Sequence, residues 1–132
     1  MPTIFTRIID GELPGHFVHR DDQAVAFLSI APLRPGHTLV VPVSEIDHWI
    51  DATPELNAHL MVVAQRVARA QQQVFSPSKV ALMIAGLEVP HLHLHVVPIR
   101  TEADMHFENA RHNVDPAELA ENAERLREAL AG

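Results

Sequence analysis

Apolar positions along the chain change their spacing several times, and each change marks an element. Ile4 to Asp10 reads as a short helical turn ended by Gly11. Phe17-Val18-His19-Arg20 and Ala24 to Leu28 read as short strands joined by the polar turn Asp21-Asp22-Gln23. A loop with two prolines, Ala31 to Gly36, leads into His37 to Val43, a β-branched apolar run that predicts a buried strand. Leu56, Leu60, Val63, Val67, Ala70 and Val74 then follow one another by three or four residues, which lines them along one face of a long helix. Thr53-Pro54-Glu55 starts that helix with a capping hydroxyl, a proline at the first helical position and an acid in the first turn; Ser76-Pro77 ends it. Val80 to Ala85 is apolar and passes through Gly86 into His91-Leu92-His93-Leu94-His95-Val96-Val97, so these two runs are expected as neighbouring antiparallel strands. Thr101 to Val114 is polar and irregular. Asp115-Pro116-Ala117-Glu118 resembles a capping box, and Leu119, Ala123, Leu126 and Leu130 give a second amphipathic helix. Strands clustered around two to three helices, without strict strand–helix alternation, favour an α+β fold with a mostly antiparallel sheet.

The histidine run is the chain's chemical signal. In a strand, side chains alternate between faces, so His91, His93 and His95 would share one face and Leu92, Leu94 and Val96 the other. Three imidazoles on one face replace three apolar side chains that could have been buried there. Taken alone, the pattern admits three readings: a solvated face of satisfied histidines, a metal site, because alternating histidines on a strand ligate zinc well, or a catalytic cluster.

Composition narrows the context. The chain has 132 residues, 47% hydrophobic and 20% charged, as expected of a globular domain with its own core. It carries 17 acidic against 10 basic residues, a formal net charge of −7, with no basic stripe for a nucleic-acid polymer. A small anion remains bindable, since amides, imidazoles and helix ends can hold one phosphate on an acidic protein. Absence of cysteine excludes disulfides, thiolate metal sites and cysteine nucleophiles, and accords with an expected cytoplasmic location. Met1 to Arg7 lacks the apolar stretch of a signal peptide, and no segment approaches the ~18 apolar residues of a membrane span.

Residues 91–97 fit the pattern His-φ-His-φ-His-φ-φ, with φ apolar, at every position. Three further segments match in order: Ile4-Phe5 with Ile8-Ile9-Asp10-Gly11-Glu12-Leu13-Pro14; Asp21-Asp22 with Ala26-Phe27; and Ile30, Pro32 and Pro35-Gly36-His37-Thr38-Leu39-Val40-Val41-Pro42. On these residues, covering roughly 3–100, the chain resembles the histidine triad family of nucleotide-binding hydrolases and transferases. The resemblance implies one domain over 1–132, with a core at 3–100 and a C-terminal loop and helix at 101–132. It further implies a histidine-triad-like α+β fold around a five-stranded antiparallel sheet, assembled as a two-fold homodimer. The implied activity is cleavage at the α-phosphate of a nucleotide, often a nucleoside phosphoramidate, with no cofactor, no membrane partner and no nucleic-acid polymer.

The resemblance also assigns roles. His93 matches the nucleophile, whose free nitrogen would form a covalent nucleotidyl-histidine while its other nitrogen donates to a backbone carbonyl. His95 is expected to donate to the phosphate oxygens, His91 to orient its neighbours, and His37 to be the fourth active-site histidine beside the phosphate. Ile4, Phe5, Phe27, Ile30 and Leu39 fall at the nucleobase cleft; as apolar residues they can equally be plain core. Three positions depart from the pattern. Ser29 replaces an aspartate that accepts from both ribose hydroxyls. Val80 replaces a polar residue near the phosphate. Leu87-Glu88 replaces a Gln followed by Ser or Thr, and Glu88 either points away from the site or protonates a leaving group. Some branches hold a structural zinc with a C-x-x-C pair and two histidines. Thr3 and Thr6 stand at the cysteine positions here, leaving only His48 and His91, so no structural metal is expected. Trp49 reads as a packing anchor, and His16, His19, His48, His59, His106 and His112 as surface or turn residues. Met105 to Val114 is expected either over the site or along a dimer seam.

Overall fold

The changes of period along the chain correspond to one antiparallel sheet with two helices packed on one face. The structure, a computed structural model, describes residues 2–132; Met1, the head of the amino-terminal stretch considered above, lies outside them. Strands β1 (Phe17–Arg20), β2 (Ala24–Leu28), β3 (Thr38–Pro42), β4 (Lys79–Met83) and β5 (Leu94–Ile99) lie in the order β1-β2-β3-β5-β4, every neighbouring pair antiparallel. Helices α1 (Ile4–Ile9), α2 (Pro54–Phe75) and α3 (Pro116–Ala131) complete the α+β architecture. No helix among the described residues is long and apolar enough to cross a membrane.

Helix ends follow the local chemistry. Thr53 Oγ1 accepts from Leu56 N–H at 3.1 Å, and Ser76 stops α2 in the left-handed region at φ 48°. Asp115 caps α3 through Ala117 N–H at 2.9 Å, but the reciprocal half of the expected capping box is missing. Glu118 instead meets the Arg111 guanidinium at 3.0 Å, a charged donor that competes well with an exposed backbone amide.

The sheet buries both faces. On one, Ala24, Ala26, Leu28, Val40, Leu94 and Val96 meet Leu60, Val63 and Val67 of α2 and Leu119, Ala123 and Leu126 of α3. On the other, a smaller cluster of Val25, Phe27, Leu39 and Val41 is closed by Phe5 of α1. All five residues of β2 are therefore buried, and the strand reads as continuously apolar. Gln71, buried on α2, donates through Nε2 to Gly36 O and Val96 O, both at 2.9 Å, and so ties the helix to the lead-in of β3 and to β5.

Three expectations change. The ladder of β5 begins at Leu94, three residues after His91, because His91 N–H donates to Val89 O and Leu92 N–H to Ile46 O. These loops take the amides that a ladder would have used, yet the side chains still alternate, with Leu92 and Leu94 both in the helix-side core. Strand β4 ends at Met83, short of Ala85. Trp49 is 47% exposed and joins neither core; it lies in a 3-10 turn, Trp49–Asp51, ahead of α2.

Candidate active site

The four histidines singled out from the sequence come together on the sheet face opposite α2 and α3. His95 stands on β5 opposite Leu39 of β3, and His37 immediately precedes β3, so strand pairing sets their two rings side by side. His37 and His91 are fully buried, and His93 and His95 keep 7% and 8% exposure.

Backbone groups determine which ring nitrogens carry protons. Leu33 N–H donates to His37 Nδ1 at 3.0 Å, so the proton of a neutral His37 sits on Nε2. That Nε2–H donates to His95 Nδ1 at 2.9 Å, which leaves His95 with its proton on Nε2. His93 Nδ1 lies 2.7 Å from His91 O; a carbonyl only accepts, so Nδ1 donates and Nε2 is left with a free lone pair. The rings of His93 and His95 lie 4.9 Å apart, edge to face. A ring with a free basic nitrogen thus neighbours a ring with a free N–H donor.

Burial reinforces this. It pushes His37 down to about 3 and His95 down to about 4, the adjacent imidazoles adding to the effect. Burial also lowers His93, with the bond to His91 O acting in the opposite direction. All three shifts favour the uncharged ring at neutral pH.

The surroundings divide into a buried side and an open side. Phe5 lies edge-on to His93 at 4.9 Å, with Phe27 behind it at 5.6 Å. On the far side Phe107 lies edge-on to His95 at 5.1 Å and is half-exposed. Residues 101–114, with 3-10 turns at Glu102–Met105 and Phe107–Asn109, therefore fold against the site, held by Arg111 N–H to Pro32 O at 2.9 Å. Phe27 and Leu39 belong to the packed cluster, whereas Ile4 is 47% and Ile30 75% exposed, so the five apolar candidates do not form one wall. Ser29 is half-buried; its N–H donates to His37 O and its hydroxyl accepts from Ala31 N–H. Glu88 is exposed, and its charge favours protonation of His93.

His37 has both nitrogens engaged and is buried, so its ring reaches the site through His95. One position differs from what the resemblance implies. Val80 packs on the helix-side core, opposite Pro98, because alternation along β4 turns it away from the histidines; Met83 is the residue opposite His95. Among the remaining histidines, His19 and His59 both reach Asp21 Oδ2, at 2.6 and 2.9 Å, tying β1 to α2 well away from the triad in sequence.

Sequence reasoning missed Phe107, Thr3 as a partner of a triad histidine, and Glu45. Thr3 Oγ1 lies 2.6 Å from His91 Nδ1, and Glu45 Oε1 accepts from Thr3 N–H at 3.0 Å and from the Thr6 hydroxyl at 2.5 Å. Thr3-x-x-Thr6 at a helix start was a usable signal for a cap, but Glu45 lies 42 residues away with no periodicity to mark it.

The zinc of related branches finds no fit here. Among the described residues no group of three or more His, Asp or Glu is arranged to hold a metal ion. His91 Nε2 faces Pro42 O at 2.8 Å and its Nδ1 faces Thr3, while His48 Nδ1 accepts from Ile50 N–H.

Comparison with known proteins points one way. Residues 10–102 match the family model described as HIT domain. A HIT-like protein of Borreliella burgdorferi is 35% identical over 102 residues, 72% of this chain and 73% of that protein. The crystal structure of a Zn-bound histidine triad family protein from Mycobacterium smegmatis superposes with a TM-score of 0.83 at 32% identity, covering 97% of this chain and 92% of the other. That of a hypothetical histidine triad nucleotide-binding protein from Sulfolobus tokodaii gives 0.84 at 26% identity, covering 96% and 91%.

Proposed function

Taking as premise that this chain belongs to the HIT domain family, we propose that it is a nucleotide hydrolase acting at the α-phosphate of a nucleoside phosphoramidate or related nucleotide. The observation that carries this reading is the pair of oppositely assigned nitrogens, the free Nε2 of His93 and the Nε2–H of His95, on rings 4.9 Å apart. His93 Nε2 attacks phosphorus, the bond from phosphorus to the leaving group breaks, and a nucleotidyl-His93 results. Water then cleaves the phosphorus–nitrogen bond, releases a nucleoside monophosphate and restores the imidazole. His95 donates to a phosphoryl oxygen throughout, and preorganised donors of this kind are usually the largest catalytic term. His37 holds His95 in the donating tautomer.

A nucleotide as ligand is supported by the name of the Sulfolobus tokodaii neighbour and by an apolar flank of Phe5, Phe27 and Leu39, with Ile4 and Ile30 exposed enough to touch a base. The homodimer expected from the resemblance is supported by the unpaired edge of β4 and a groove of about 480 Å³ beside it, walled by Met61 and Val62 of α2 and by Val80 and Leu82. A second copy laid edge to edge would cover both.

The test is incubation with a panel of adenosine and guanosine 5′-phosphoramidates, followed by mass spectrometry for a nucleotide-sized adduct on His93. Turnover with a transient adduct is expected, and His93→Ala should abolish both. Full turnover by His93→Ala would overturn the nucleophile assignment; binding without turnover by the wild type would make the protein a nucleotide sensor.

A further inference from the structure

The first histidine of the run is the most deeply buried of the three. Its ring is held at both ends. Nε2 lies 2.8 Å from Pro42 O, which can only accept, so Nε2 carries a proton. Nδ1 of the neutral ring is then an acceptor, and the hydroxyl of Thr3 is the donor that reaches it, at 2.6 Å. Thr3 is fixed in turn. Its oxygen accepts from Thr6 N–H at 3.1 Å, capping α1, and its own N–H donates to Glu45 Oε1. The Thr6 hydroxyl donates to the same carboxylate oxygen. The carbonyl of His91, in the residue whose ring is so clamped, is the acceptor that orients His93.

We propose that Thr3, Thr6 and Glu45 form a positioning clamp that fixes the ring of His91, and through its carbonyl the reactive orientation of His93. The proposal rests on the reading of His93 as nucleophile for its kinetic consequence, though not for its geometry. The clamp joins the start of α1 to the histidine segment by hydrogen bonds. It shares one element with the nucleotide flank, since Phe5 of α1 packs edge-on against both His91, at 5.7 Å, and His93. The clamp's hydrogen bonds end on His91 and not on His93 itself, so loosening the clamp alters how often the free nitrogen of His93 is aimed rather than how substrate is held.

The test combines kinetics with nitrogen-15 NMR of the histidine rings in the full chain. Thr3→Val removes the donor and should lower kcat about tenfold, the equivalent of one hydrogen bond, with KM little changed. Thr3→Ser should restore kcat, because it keeps the hydroxyl and the cap. Glu45→Ala, at an exposed residue, should give a smaller fall in kcat with KM again unchanged. In the NMR experiment His91 Nδ1 should shift to the position of a nitrogen accepting no hydrogen bond in Thr3→Val and return in Thr3→Ser, with the His93 Nδ1 resonance moving in parallel. An unchanged kcat in folded Thr3→Val, or a Ser variant as impaired as Val, would overturn the clamp. Should the wild type show no turnover at all, the nucleophile reading fails, and His93 resonances indifferent to Thr3→Val would separately overturn the clamp.

Discussion

Lowering the pH from 7 to 5 should destabilise this protein through His95, by an amount that can be worked out from its burial. In the unfolded chain the ring titrates near 6.5, whereas in the fold burial and the neighbouring His93 hold it at about 4. Between these values the unfolded chain takes up a proton that the folded chain refuses, so stability falls as pH falls. The contribution is intact above 6.5, erodes through the window below it, and is exhausted once pH passes about 4. At pH 5 the erosion amounts to about 2 kcal/mol for this one ring, out of a typical total near 5–15 kcal/mol. His37, lowered to about 3 mainly by burial, should add up to a similar amount, less whatever the two contacting rings share. The assay is urea unfolding at pH 7 and pH 5, at one ionic strength and one protein concentration, followed by far-ultraviolet circular dichroism. His95→Gln keeps a polar side chain that does not titrate, and should lose about 2 kcal/mol less than the wild type over the same interval. Equal losses in the two proteins would refute the argument that burial keeps this ring neutral.

Burial also lowers His93, the proposed nucleophile, so the acid limb of kcat/KM should lie below 6.5 in the wild type. Phe107→Ala, by opening the edge of His95 to water, should move that limb upward, as a pH–rate profile would show; an unmoved limb would mean that Phe107 does not shield the site. Gly36→Ala should cost about 1–3 kcal/mol, read as a lower midpoint of thermal unfolding. Gly36 sits at φ +88°, and a Cβ there would stand 2.3 Å from the ring of Phe75.

Much of this architecture was legible one segment at a time. The limits of β1 and β2, the start and end of α2 and the apolar stripe of α3 all follow from local spacing and capping, because those signals act within a few residues. The alternation of His91, His93 and His95 with Leu92 and Leu94 was legible too, and it survives even where the ladder does not, since side-chain direction depends on backbone extension and not on strand pairing. Val80 shows where such reading fails. The resemblance implied a place near the phosphate, but only the pairing of β4 with β5 determines the face it occupies, and that face is the helix-side core.

The amino-acid sequence by itself therefore determined which elements form, which side chains share a face, and that imidazole chemistry gathers at one end of β5. His93 takes its orienting acceptor, His91 O, from two residues away, but what the other imidazoles can do was decided by the tertiary structure. An imidazole acts as base or donor according to which nitrogen bears the proton, and that depends on the group its other nitrogen meets. Those groups come from Leu33 through His37, 58 residues before His95, and from Thr3, 88 residues before His91. No local pattern connects positions so far apart; the packing of α1 and β3 against the histidine segment does.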